Sequence, residues 1–265
     1  MRKRYNFDGI DIDIGTGLTG SGDITRLSTA QANLVRIIDG VLAQMPAGFG
    51  PTMAPETAYV TGGSVTYGSI WGAYLPIIKR YVDNGRLWWL NVQYYNGSMY
   101  GCSGDSYAAG TVQGFVAQTN CLNPGLVVQG TTIRVPYDRQ VPGLPAQSGA
   151  GGGYLAPSSV AQAWNTYQGG LKGLMTWSIN WDGSKGWTFG DDVKALQGRR
   201  PCMVTAGSSG LAPDRRIGPA PQVGSAVLLL ARHAEPSVRH RLQAFRRDRR
   251  RTPLTGPVAT VGHAP

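Results

Sequence analysis

Five short runs of β-prone residues alternate with helix-like stretches through the first 198 residues, and no other feature limits the fold as much. The predicted strands are "NFDGIDIDI" (6–14), the first half of "PTMAPE" (51–56), "RLWWLNVQYYN" (86–96), a run around Gln140–Leu144, and "GLMTWSINWD" (173–182). "GLVVQGTTIRV" (125–135) competes with Gln140–Leu144 for the fourth place. Between them, Leu27, Leu34, Ile37, Ile38, Val41 and Leu42 recur near helical spacing and predict a helix over Ile24–Met45. Further helices are predicted over 69–84 with a kink or break at Pro76, over 107–122, over 158–168 capped by Ser158 or Ser159, and over 189–197. Strand–helix units repeated in this way make an α/β architecture with parallel strands.

Charge is uneven along this order. The chain carries a formal +10, but twelve of its 25 basic residues and only three of its 15 acidic ones follow Gly198. The body is therefore near neutral, and the basic balance gives it no nucleic-acid role. All three histidines (His233, His240 and His263) also follow Gly198, so the body has none for a catalytic triad or a histidine metal site. No apolar run approaches the ~18 residues of a membrane span. The start "MRKRYNFDGI" is basic with no apolar segment behind it, which predicts no secretory signal. Cys102 and Cys121 either pair or remain free thiols, and Cys202 lies apart from both. The reading divides the chain into a domain over 1–198 and an Arg/Pro-rich tail over 199–265, expected to be disordered, with "GSAVLLLARHA" forming one short helix.

The polar chemistry gathers at strand ends. Asp11 and Asp13 close the first strand, Glu56 the second, and Gln93, Tyr95 and Asn96 the third, while Trp177 and Asp182 lie on and after the last. Sites in parallel α/β folds form at the carboxyl ends of strands. Side chains alternate along a strand, so Asp11, Asp13 and position 15 share one face. Converging carboxylates are costly unless hydrogen-bonded or protonated, which makes the cluster a functional signal.

"FDGIDIDIG", "TMAPETAY", "VQYYN" and "GLMTWSINWD", in this order, resemble glycoside hydrolase family 18, the chitinases, and especially their secreted bacterial type. The resemblance runs from about Phe7 to Leu196. It implies a (β/α)8 barrel, extracellular action on chitin or N-acetylglucosamine oligosaccharides, and no cofactor or metal. In this family the sugar's own acetamido oxygen attacks the anomeric carbon while a glutamate protonates the leaving oxygen. By motif, Asp13 orients the acetamido group and Asp11 shares its charge. Tyr95 donates to the acetamido carbonyl, Trp177 floors the sugar, and Met53, Glu56, Gln93 and Asn96 line the same pocket. Asp8, Trp88 and Trp89 are expected to be structural.

The chain departs from the family pattern at three places. The family motif D-x-x-D-x-D-x-E ends here in Gly15, which cannot donate a proton. Glu56 is the only other candidate among residues 1–198, but it lies on another strand and is expected to line the pocket rather than replace the acid. Five strands, not eight, are found, so the fold is expected to be a partial TIM barrel of about the last five β/α units, followed by an irregular basic tail. The combined expectation is an impaired or inactive chitinase. The alternatives are a non-catalytic chitin-binding protein and a gene fragment without function.

Overall fold

The computed structural model describes residues 7–198 and the backbone of 227–231. Strand β1 (Gly9–Asp13) pairs in parallel with β2 (Gly50–Met53), and β2 with β3 (Trp89–Leu90). Parallel bridges Leu90↔Gln140 and Gln93↔Gly143 lead on to β8 (Gly143–Pro145), which pairs in parallel with β9 (Met175–Trp177). The α/β reading with parallel strands is thus borne out. The strands are shorter than their apolar runs, because the chain beyond each ladder turns into the loops that carry the polar residues.

Helices cover the sheet between these strands. Helix α1 (Thr29–Ala43) begins five residues later than expected. The reason is local: Ser28 caps it reciprocally with Gln31, and residues 21–26 are held in a turn by the Ser21 and Asp23 side chains. The expected helix over 69–84 is also shorter. Residues before Leu75 form single turns, and α2 (Leu75–Asp83) starts with Pro76 in its first turn. Proline there begins a helix instead of kinking one, since its missing N–H is needless at that position. The same logic corrects the cap at Ser158 or Ser159. Helix α4 (Pro157–Asn165) opens on Pro157 behind Ala156, and both serines lie inside it. Helix α3 (Val112–Leu122) takes its cap from Thr111. Helices α5 (Ile179–Gly183) and α6 (Thr188–Gly198) close the described body.

The rival readings for the fourth strand are both occupied. "GLVVQGTTIRV" folds as an antiparallel hairpin of β6 (Leu126–Val128) and β7 (Thr131–Ile133), turned at Gln129 and Gly130, while Gly143–Pro145 enters the parallel succession. A second hairpin, β4 (Met99–Tyr100) with β5 (Ser106–Tyr107), fills the loop after β3. Cys102 and Cys121 form a disulfide that ties this loop to α3, with Cα atoms 5.1 Å apart. Chain segments beyond Gly198 are described at one place only. There the backbone of β10 (Val227–Ala231) pairs in parallel along all of β1. This corrects the short helix expected over these residues. A five-residue apolar run satisfies a strand as readily as a helix, and an open strand edge offers it hydrogen-bond partners. The remaining expectations for the tail lie outside the described residues.

The core lies between the sheet and its helices. Ile10, Ile12, Leu34, Ile38, Met53, Ile77, Ile78, Leu90 and Phe115 are all buried in it. Register explains which side chains enter it: Ile12 sits beside Met53 on the helix-facing side, and Asp11 beside Thr52 on the other. By the same register Gly9 and Gly50 lie on the Asp11–Thr52 side, and Trp88 packs against both glycines. A Cβ on Gly50 would stand 2.3 Å from the Trp88 ring, and one on Gly9 would stand 2.5 Å from the Gly50 carbonyl oxygen.

Candidate active site

The face of β1 away from the helices opens into a cleft of about 630 Å³. Asp11 and Asp13 line it from β1, Thr52 and Ala54 from β2 and just beyond, Gln93 and Tyr95 after β3, and Trp177 at the end of β9. Period-two alternation produces this set: every second residue of each strand faces the cleft, and the residues between face the core.

Asp11 lies deepest. Its Oδ1 accepts from Thr52 Oγ1 at 2.5 Å and from Asn91 Nδ2 at 3.4 Å. Burial pushes its carboxyl above the ordinary 3.8, and the bonds from Thr52 and Asn91 oppose the shift without cancelling it. Asp13 Oδ1 accepts from Gln93 Nε2 at 3.1 Å, and the same amide donates to the Ala54 carbonyl at 2.6 Å. Gln93 thereby fixes Asp13 against the end of β2. Tyr95 stands over these acids. Burial first, then the charges of Asp13, Glu56 and Asp11, raise its hydroxyl pKa and keep it a neutral donor. Trp177 is 45% exposed, too open for a core residue and suited to stacking on a ligand.

The raised Asp11 gives a stability prediction. Below the ordinary value of 3.8 both folded and unfolded states hold the proton, and burial exacts nothing. As pH rises through the raised folded value, the folded state must ionise a buried group and loses stability relative to the unfolded chain. Asp11→Asn keeps an acceptor for Thr52 and removes the charge. The variant is expected to melt higher than the parent at neutral pH, with the gain vanishing in acid. Melting midpoints across pH check this, and a difference independent of pH would contradict it.

Three expected pocket residues lie elsewhere. Met53 is fully buried in the core, because its parity on β2 is opposite to that of Thr52 and Ala54. Asn96 has the wrong parity relative to Gln93 and Tyr95. Its side chain accepts from Gly152 N at 2.7 Å, and its backbone N donates to Gly152 O, which clamps two loops together. Glu56 does not line the cleft; its carboxylate lies beside Gly15, where a Cβ would stand 3.1 Å from Glu56 Oε1. Trp89, expected in the core, is half-buried, lines the cleft and stacks on Trp88.

Other contributors escaped the sequence reading. Thr52, Asn91 and Trp89 follow from parity once Asp11, Gln93 and Tyr95 are placed. Tyr59 and Tyr74 carry no such signal. The Tyr59 hydroxyl donates to the Gly15 carbonyl at 2.6 Å, and the Tyr74 hydroxyl accepts from Ile14 N at 2.9 Å. Two tyrosines from outside the strands thus pin the backbone that follows β1. Asp182 lines the cleft but accepts from Phe189 N and Gly190 N, so it also caps the first turn of α6. Among the described residues, no group of three or more His, Cys, Asp or Glu is placed to hold a metal ion.

Comparison with known proteins converges on one family. The chain is 83% identical over 192 residues to endochitinase 4 of Metarhizium robertsii, a match covering 72% of this chain and 56% of that protein. It is 82% identical over 190 residues to endochitinase 37 of Trichoderma harzianum, with the same coverage of each. These matches support a glycoside hydrolase family 18 chitinase domain over 72% of the chain. The solved family 18 chitinase of Chromobacterium violaceum superposes with a TM-score of 0.62 at 30% identity, covering 75% of this chain and 57% of that one. No family model matches the chain. The bacterial type is represented by chitinase D of Niallia circulans at 42% identity, over 67% of this chain and 39% of that protein. The chain spans little more than half the length of the two fungal endochitinases.

Proposed function

We propose that this domain binds N-acetylglucosamine oligosaccharides of the chitin type and turns them over by substrate assistance, at a rate impaired by glycine at position 15. The observation that carries the reading is the convergence of Asp11, Asp13, Gln93, Tyr95 and Trp177 on one cleft. The relatives named endochitinases support the substrate class. In this reading the sugar stacks on Trp177, and its acetamido carbonyl accepts from the Tyr95 hydroxyl. The acetamido oxygen then attacks the anomeric carbon, and Asp13 balances the positive charge that spreads onto the acetamido group. Asp11, which burial favours protonated, donates to Asp13 early and shares charge with it later.

The architecture assigned to this activity is the last five β/α units of a (β/α)8 barrel, in a domain over residues 1–198. Extracellular action follows from the family, and no membrane contact is needed. Among the described residues no helix is long and apolar enough to cross a membrane.

Gly15 favours a second reading, a protein that binds chitin oligosaccharides without cleaving them. Titration with an N-acetylglucosamine tetramer, followed by intrinsic tryptophan fluorescence and by product release, separates the two. Saturable quenching is expected, weakened about fivefold in Trp177→Ala, since stacking on an aromatic contributes on the order of 1 kcal/mol. Binding with no product favours the second reading, and no binding at all removes both.

A further inference from the structure

The carboxylate of Glu56 occupies the reach of the side chain that position 15 lacks. A glutamate at 15 would carry its carboxylate oxygens three bonds beyond its own Cβ, with bonds of about 1.2–1.5 Å. Glu56 Oε1 stands 3.1 Å from where that Cβ would be, and among the described residues it is the only atom within 4 Å of it outside the glycine and its chain neighbours. Three further observations turn Glu56 toward the site. Glu56 sits at the N-cap of the turn Thr57–Tyr59, yet its side chain does not cap that turn. Its backbone bridges in parallel to Gln93, the residue that holds Asp13. The Gly15 carbonyl beside it is held by Tyr59, so the backbone does not drift from the carboxylate.

We infer that Glu56 is the proton donor of this chain, acting from the place that a glutamate at position 15 would fill. The bond from the anomeric carbon to the leaving oxygen breaks, its electron pair goes to that oxygen, and the oxygen takes the proton of Glu56. The acetamido oxygen forms the new bond to the anomeric carbon. Water then attacks that carbon, returns a proton to the Glu56 carboxylate, and releases the acetamido oxygen. Desolvation raises the Glu56 carboxyl above its ordinary 4.5, which keeps a larger share of it protonated in weak acid. The charge of Glu56 also acts on Tyr59 and on Tyr95, and Tyr95 lines the cleft beside Asp13.

This inference rests on the oligosaccharide reading above, and its test keeps the two apart. The full chain, Glu56→Gln and Glu56→Asp are compared for tetramer binding, for tetramer hydrolysis across pH, and for hydrolysis of a nitrophenyl N,N′-diacetylchitobioside. A nitrophenolate departs without needing a proton. Glu56→Gln is expected to bind tetramer as the parent does, to lose about 10²–10⁴-fold in tetramer hydrolysis, and to lose far less with the nitrophenyl substrate, where only the base of the water step is missing. The parent's fall in tetramer rate with rising pH should disappear in Glu56→Gln. Glu56→Asp should retain an intermediate rate and guards against a folding artefact in the glutamine variant. Identical pH–rate profiles for parent and Glu56→Gln overturn the inference. So does a parent that binds tetramer and releases nothing. A parent that does not bind tetramer overturns the reading beneath it as well.

Discussion

Asp13→Asn is expected to lower kcat for N-acetylglucosamine tetramer by about 10²–10³-fold, with KM changed far less. The substitution preserves shape. Asn presents an oxygen where Asp13 Oδ1 accepts from Gln93 at 3.1 Å, so the tie from Gln93 to the Ala54 carbonyl survives. What disappears is a negative charge beside the acetamido group as that group becomes cationic. An interaction made mainly in the transition state shows in kcat and not in ground-state binding. The nitrophenyl substrate separates this role from proton donation. Asp13→Asn should slow it severely, because the acetamido oxygen still has to attack, whereas Glu56→Gln should not. Equal losses in kcat and in tetramer affinity would show that Asp13 only holds the sugar.

That contrast depends on parity, and parity also decides what was readable in the sequence. Asp11 and Asp13 share the cleft face because "DGIDIDIG" alternates without interruption, which a strand translates directly into two faces. The run Pro51–Glu56 offered the same rule, and applying it separates Thr52, Ala54 and Glu56 from Met53. The motif resemblance grouped Met53 with the pocket, whereas the register beside Ile12 puts it in the core. Asn96 fails by the same count from Gln93 and Tyr95. The missed pair Tyr59 and Tyr74 differs in kind. Both hydroxyls reach Ile14 and Gly15 from residues 44 and 60 positions distant, and no local pattern announces a contact set by tertiary packing.

Element boundaries tell a related story. Pro76 and Pro157 each read as a disturbance or went unused, yet each sits at a helix start, where φ is already suitable and no N–H is needed. The run "VLLLA" had no partner in the sequence and read as a helix. Its strand pairing becomes visible only when the outer edge of β1 is seen. The parallel strand order itself was legible, because five β-prone runs separated by helical stretches allow few other arrangements.

Position 15 supplies the second large effect. Gly15→Glu combined with Glu56→Gln is expected to hydrolyse tetramer at least 10²-fold faster than Glu56→Gln alone. The backbone permits the change, since Gly15 does not sit in the left-handed region and a Cβ there would meet only the far end of the flexible Glu56 side chain. Tyr59 and Tyr74 hold residues 14 and 15 through backbone atoms, so a new side chain leaves those bonds intact. Gly15→Glu without the second change should behave differently. It sets two carboxyls within about 3–4 Å, where both cannot ionise together without one retaining its proton to higher pH. The descending limb of the tetramer pH–rate profile should therefore lie at higher pH in Gly15→Glu than in the double variant. Profiles that coincide would show that the two carboxyls do not share the site. A double variant as slow as Glu56→Gln would show that a carboxyl at position 15 cannot reach the leaving oxygen in this chain.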